Sequence, residues 1–172
     1  VDHQGGLDPP SQLADERRMP VRIVADSTSY LTAAQLADYG ITEVSLSVIW
    51  NDRSVPEVEI TDLDSFYDEL RSMKDLPGTS QPSVGQFLDV YEPIIEAGDD
   101  VISLHFSSGI SGTYESAVQA KAQLERDGVD PLRITVIDTG SACGGSGLVL
   151  MAAGAAAKRG CGHGDGVGAL DA

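Results

Sequence analysis

Basic residues are scarce in this chain of 172 residues. Lysine and arginine total 11 against 27 aspartates and glutamates, a formal net charge of −16. A surface that acidic repels nucleic-acid phosphates and anionic membrane faces, which sets nucleic-acid binding aside. Cysteine is almost missing: Cys143 and Cys161 stand in unrelated contexts with no CxxC pair. That argues against a disulfide framework and for a reducing, cytoplasmic setting. Long hydrophobic runs are missing too. Residues 1–20 are polar and proline-bearing rather than a secretory core, and the most apolar stretch, residues 147–157, is too short to span a bilayer. A cytoplasmic protein without stable membrane insertion is expected.

Several motifs of catalysis and cofactor binding are absent as well. No phosphate-binding G-x-x-x-x-G-K-[ST] occurs, and Gly144-Gly145-Ser146-Gly147 continues without the last glycine of the dinucleotide fingerprint. Tight helix–sheet packing is the simpler role for those glycines. His3, Cys161 and His163 lie toward the chain ends without ligand spacing, so neither metal nor cofactor is expected. The acidic run of Asp62, Asp64, Asp68 and Glu69 reads as a solvated helix face.

What is present is a regular alternation of periods. Hydrophobic residues make up 41% and charged residues 22% of the chain, as in an ordinary globular domain. Residues 1–20 read as a flexible leader, 21–159 as one folded domain and 160–172 as a glycine-rich disordered tail. Within the domain, strands are expected over 21–25, 41–50, from 101 and over 133–138, with a turn at Asn51-Asp52. Helices are expected over 32–39, after a Thr61 cap, from Ser83 to about residue 96, over 111–126 and over 141–159. Strands separated by helices imply right-handed crossovers: an α/β fold with a mainly parallel sheet flanked by helices. Ligands of such sheets lie at the carboxyl ends of the strands, where the loops beginning at Asp26, Ser107 and Asp138 emerge.

Two helix entrances are rich in hydroxyls, the second of them following no clear strand. Ser107, Ser108, Ser111 and Thr113, interleaved with Gly109 and Gly112, follow the strand from Val101. Thr79-Ser80-Gln81-Pro82-Ser83 precedes another helix, with a capping-box pattern from Ser83 to Gln86. Unpaired N–H groups and the positive end of a helix suit a carboxylate or a phosphate. Serine and threonine also cap helices with no ligand at all, and that alternative stays open. So does a serine esterase using Ser111 with His105 and Asp138, although Gly109-Ile110-Ser111-Gly112-Thr113 departs from the G-x-S-x-G elbow.

The segments Val24-Ala25-Asp26-Ser27-Thr28-Ser29, Ser45-Leu46-Ser47-Val48-Ile49, Thr79 to Ser83, Ser107 to Ser116 and Val136-Ile137-Asp138-Thr139-Gly140-Ser141-Ala142 resemble the DegV family of bacterial fatty-acid-binding proteins. The resemblance runs from about residue 21 to residue 159. It implies two α/β domains enclosing a long-chain fatty acid such as palmitate, of which this chain corresponds to the first. It implies no catalysis and no cofactor, and a partner: a separate ATP-using fatty acid kinase subunit that receives the acyl carboxylate. It also implies that Thr79 and Ser111 contact that carboxylate, supported by the loops of Ser27, Ser80, Ser107, Ser108, Gly112 and Thr113. Where the family has serine after the Ile-Asp pair, this chain has Thr139. The family's basic and imidazole groups from the second domain have no counterpart here.

Overall fold

Val21, Ile23, Val24, Val101 and Ile102 are β-branched and buried, and their stiff side chains favour extended chain over helix. They form the centre of a sheet in a computed structural model that describes residues 19–50 and 53–162. The expected leader as far as residue 18, the Asn51-Asp52 turn and the tail from residue 163 lie outside the described residues. The strands are β1 (Val21–Asp26), β2 (Ile41–Val44), β3 (Ser47–Trp50), β4 (Arg53–Pro56), β5 (Gly78–Ser80), β6 (Asp100–His105) and β7 (Ile134–Asp138). The helices are α1 (Ala33–Tyr39), α2 (Leu63–Ser72), α3 (Val84–Glu96), α4 (Thr113–Arg126) and α5 (Gly144–Lys158).

Four strands form a parallel sheet in the order β2-β1-β6-β7, with helices on both faces. Phe87 and Tyr91 of α3 and Ala117, Ala120 and Leu124 of α4 pack on Val24, Val101 and Ile134. On the opposite face, Leu150 and Ala153 of α5 pack on Ile23, Ile102 and Leu104. Both faces are therefore covered, as a parallel sheet requires. Local sequence sets the helix ends. Thr32 and Ser83 each close a capping box, with Gln35 and with Gln86, and Gly40 ends α1 in the left-handed region at φ 65°.

Several boundaries differ from expectation: the helix expected from residue 141 begins at Gly144, and the others differ for local reasons. The strand expected over 41–50 breaks at Ser45 and Leu46. The Leu46 N–H donates to Ser27 Oγ (3.1 Å) and its carbonyl accepts from Glu57 N–H (2.8 Å), so the chain leaves the parallel ladder there. β3 then builds a small antiparallel sheet in the order β4-β3-β5, which periodicity did not reveal because β5 spans three residues. Asp62, not Thr61, caps α2, its carboxylate accepting from Ser65 N–H at 3.0 Å. α4 begins at Thr113 rather than Ser111, with Gly112 at its cap. Gly160, the first residue of the expected tail, belongs to the end of α5. At φ 78° it ends α5, with Gly160 N–H on Ala157 O (2.9 Å) and Cys161 N–H on Ala156 O (3.2 Å), a Schellman closure.

A buried polar chain crosses the sheet interior. Tyr91 Oη donates to Ser103 Oγ (2.7 Å), Ser103 Oγ lies 2.6 Å from His105 Nε2, and His105 Nδ1 lies 3.1 Å from Asp26 Oδ2. Every atom is satisfied when Ser103 donates to Nε2 and Nδ1 carries hydrogen toward Asp26. Asp26 also accepts from Phe106 N–H at 3.0 Å and from the Thr28 backbone and hydroxyl. Burial by itself raises the Asp26 carboxyl. The hydrogen bonds from His105 and Thr28, the attraction of His105 and the Phe106 N–H outweigh it and hold the carboxyl below its ordinary range.

A Cβ on Gly154 would stand 2.6 Å from the Tyr39 carbonyl oxygen and 2.9 Å from Tyr39 Cβ, whereas one on Gly144 meets nothing within 4 Å. Gly154→Ala will therefore destabilise by about 1–3 kcal/mol, while Gly144→Ala will be neutral or stabilising by up to ~1 kcal/mol; urea unfolding separates the two. Asp26→Ala, which orphans His105 and the Phe106 N–H, will cost about 3–5 kcal/mol. A depressed carboxyl stabilises above its unfolded value and loses that contribution as pH falls through its folded one. Acid unfolding below pH ~4 should accordingly be steeper in the wild type than in Asp26→Asn.

Candidate functional site

Two loops far apart in sequence meet at the carboxyl edge of the parallel sheet. One is the segment of β5, which contains Thr79, with the loop of Gln81 and Pro82 that leads into α3. The other runs from β6 into α4 and contains Ser107, Ser108, Ile110, Ser111 and Gly112. They touch directly: a Cβ on Gly112 would stand 2.8 Å from the Gln81 side-chain nitrogen. Thr79, Ser111 and Gly112 line one cavity of about 400 Å³, together with Thr28, Tyr30 and Phe106. Thr79 reaches the cavity because β5 pairs with β3, placing Thr79 opposite Val48, another residue of the cavity wall.

Ser111 is half-buried, with Oγ 2.9 Å from Thr113 Oγ1 and accepting from Thr113 N–H at 3.3 Å. No side chain caps α4 in the ordinary way. The α3 entrance differs, because Ser83 and Gln86 already satisfy each other there. Of these two entrances, the α4 mouth is the one whose cap residue, Gly112, offers no side-chain acceptor.

The other hydroxyls singled out by sequence have different tasks. Ser27 is buried between two partners, donating to Glu57 Oε2 at 2.6 Å and accepting from Leu46 N–H, and it faces a second cavity rather than the first. Ser80 donates to Gln81 O (3.2 Å), and Ser107 Oγ accepts from Gly109 N–H (3.3 Å). Ser108 donates to Asp138 Oδ2 at 2.5 Å, and Thr113 is fully buried. These four hold the loops in shape and do not face the first cavity. Thr139 likewise donates inward, to His105 O at 2.9 Å.

The esterase constellation does not assemble. His105 is fully buried, and its ring nitrogens face Ser103 and Asp26, not Ser111 and Asp138. Asp138 instead holds Ser108 and Gly140 N–H (2.8 Å). The Ser108 hydroxyl first, then that N–H, draws its carboxyl below the ordinary range. Ser103, His105 and Asp26 do form a serine–histidine–aspartate line, but its serine is sealed from solvent and has no route to substrate. Among the described residues, no group of three or more His, Cys, Asp or Glu is placed to hold a metal ion, and no helix is long and apolar enough to cross a membrane.

Sequence analysis overlooked the second cavity, of about 440 Å³, which adjoins the first through shared walls at Tyr30, Val48 and Glu57. Leu31, Val58, Leu63 and Phe66 make its apolar side. The legible signal was the one-sided apolar stripe of α2, whose Leu63 and Tyr67 remain half-exposed because the groove beneath them is open. Tyr30, at φ 53° and 66% exposed, stands between the two cavities.

Comparison with known proteins agrees with this architecture. The DegV family model, described as an uncharacterised protein of that family, matches residues 20–171. Protein DegV of Bacillus subtilis is 33% identical over 142 residues, 83% of this chain and 49% of that protein. Its crystal structure, described as a fatty acid binding protein, superposes with a TM-score of 0.79 at 32% identity, covering 89% of this chain and 53% of that one. A DegV family protein from Thermus thermophilus, described by its fatty acid binding, gives 0.78 at 33% identity over 89% and 52%. A stearic acid-binding protein from Eubacterium ventriosum gives 0.79 at 30% over 88% and 52%. The chain spans about half the length of the curated relatives it matches. From its sequence to the order of its strands, the chain belongs to the DegV family.

Proposed function

We propose that this chain binds a long-chain fatty acid by its carboxylate and acyl tail, without bond-making of its own. The Thr79 and Ser111 hydroxyls, with N–H groups at the α4 mouth, hold the carboxylate. The tail runs past Tyr30 and Val48 into the apolar groove beneath α2. What carries the proposal is that Thr79 and Ser111, 32 positions apart, line one cavity that adjoins an apolar one. The relatives of Bacillus subtilis and Thermus thermophilus, described by fatty acid binding, support the same ligand class. Local donors must overcome the repulsion of a chain carrying −16. Hydrogen bonds to a charged acceptor, each contributing about 1.5–3 kcal/mol, do so at short range where long-range charge is screened.

The tail contributes more than the head. Burying about fifteen methylenes at ~0.8 kcal/mol each is worth on the order of 12 kcal/mol before entropic costs. A groove open on one side realises roughly half of that, so this chain by itself binds more weakly than an enclosing two-domain protein. In the complete proposal, residues 21–159 form the binding domain, and the held carboxylate is presented in the cytoplasm to a separate ATP-using fatty acid kinase subunit.

Titration of palmitate into the 172-residue chain tests the head-group assignment. Ser111→Ala and Thr79→Val will each weaken binding about tenfold, whereas Ser108→Ala, whose hydroxyl serves Asp138, will leave it unchanged. Equal affinity of wild type and Ser111→Ala would sink the assignment. Turnover of a nitrophenyl ester that disappears in Ser111→Ala would replace it with an esterase.

A further inference from the structure

The groove beneath α2 is not uniformly apolar. Opposite Leu63 and Phe66, the carboxyl side chains of Glu43 and Glu57 face the same space. Glu57 has a partner in the Ser27 hydroxyl at 2.6 Å. The carboxylate of Glu43, half-buried on the edge strand β2, accepts no hydrogen bond and forms no ion pair among the described residues. Burial first, then the negative charges of Glu57 and of Asp26 at the end of β1, push its carboxyl upward. Among the described residues, the other titratable groups on the groove are the phenols of Tyr30 and Tyr67, and no lysine, arginine or histidine lines it.

An acyl chain laid along this groove removes water from Glu43 and returns no donor. An ionised carboxylate stripped of water without a partner is among the least favourable of side-chain burials, and it works against the gain from the methylenes. A hydroxyl on the chain changes the balance, since its O–H replaces the lost water with a charge-assisted bond. We propose that Glu43 is a specificity-determining residue of the groove, disfavouring an unsubstituted acyl chain and favouring one that carries a hydroxyl. This rests on the fatty-acid reading above and refines its ligand class.

Oleate and ricinoleate, which differ by one hydroxyl, are the probes. Their dissociation constants are measured on the full 172-residue chain, on Glu43→Leu and on Glu43→Gln, with thermal unfolding confirming that each variant is folded. The wild type will favour ricinoleate about tenfold, the equilibrium equivalent of one charge-assisted hydrogen bond. Glu43→Leu will remove that preference, chiefly by tightening oleate. Lowering the pH through the raised titration range of Glu43 will tighten oleate in the wild type more than in Glu43→Leu. An oleate-to-ricinoleate ratio that is the same in wild type and both variants overturns the proposal. Ser111→Ala keeps the two questions apart. It should weaken both ligands by one factor and preserve their ratio, and if it weakens neither, the carboxylate assignment fails while the ratio still judges Glu43.

Discussion

The Asp26 carboxylate, buried at the carboxyl end of β1, is the point on which the carboxyl edge of the parallel sheet depends. It accepts from the Phe106 N–H just past the end of β6, from the imidazole of His105 within β6, and from Thr28 in the turn that follows β1. These bonds tie the ends of the two central strands together where the loops diverge. Removing a buried charge from such a set leaves several donors without an acceptor. The loop carrying Ser111 starts from this anchor, and so does the turn carrying Ser27 and Tyr30. Tyr91 and Ser103 extend the same polar line into α3, so the helix that follows the Thr79 loop is fastened to the same strand.

A second constraint brings Thr79 to that edge. By leaving the parallel sheet at Ser45 and Leu46, the chain frees β3 to pair antiparallel with β4 and β5. Ser27 makes this exit possible because its hydroxyl replaces the ladder partner of the Leu46 N–H. That hydroxyl also holds Glu57, at the junction of the two cavities. The residue expected to support a ligand thus supports the wall of the groove, and the small sheet it helps to form delivers a threonine from a loop that follows no strand of the main sheet.

Much of the frame was legible in the linear order of residues. Alternating and β-branched runs marked the strands at 21, 101 and 133, and Gly40 and the Ser83…Gln86 pair marked helix ends by chemistry that acts within a few residues. The hydroxyl-rich entrances stood out for the same reason. The small antiparallel sheet did not, because three residues of β5 carry no period and their pairing with β3 joins positions some thirty apart. The roles of individual hydroxyls were also hidden. Ser108 and Ser111 look alike in sequence, yet one turns to Asp138 and the other to the cavity.

By itself, then, the sequence determined the class of fold, the helix caps, the family and the two loops worth inspecting, since each follows from local pattern or shared motifs. Tertiary structure alone decided that His105 pairs with Asp26 and Ser103 rather than with Ser111, and that Thr79 and Ser111 line one space. It also decided that a carboxylate at Glu43 faces an apolar groove. Those outcomes depend on which side chains the crossovers bring within hydrogen-bonding distance, a matter of strand order and register that no local pattern encodes.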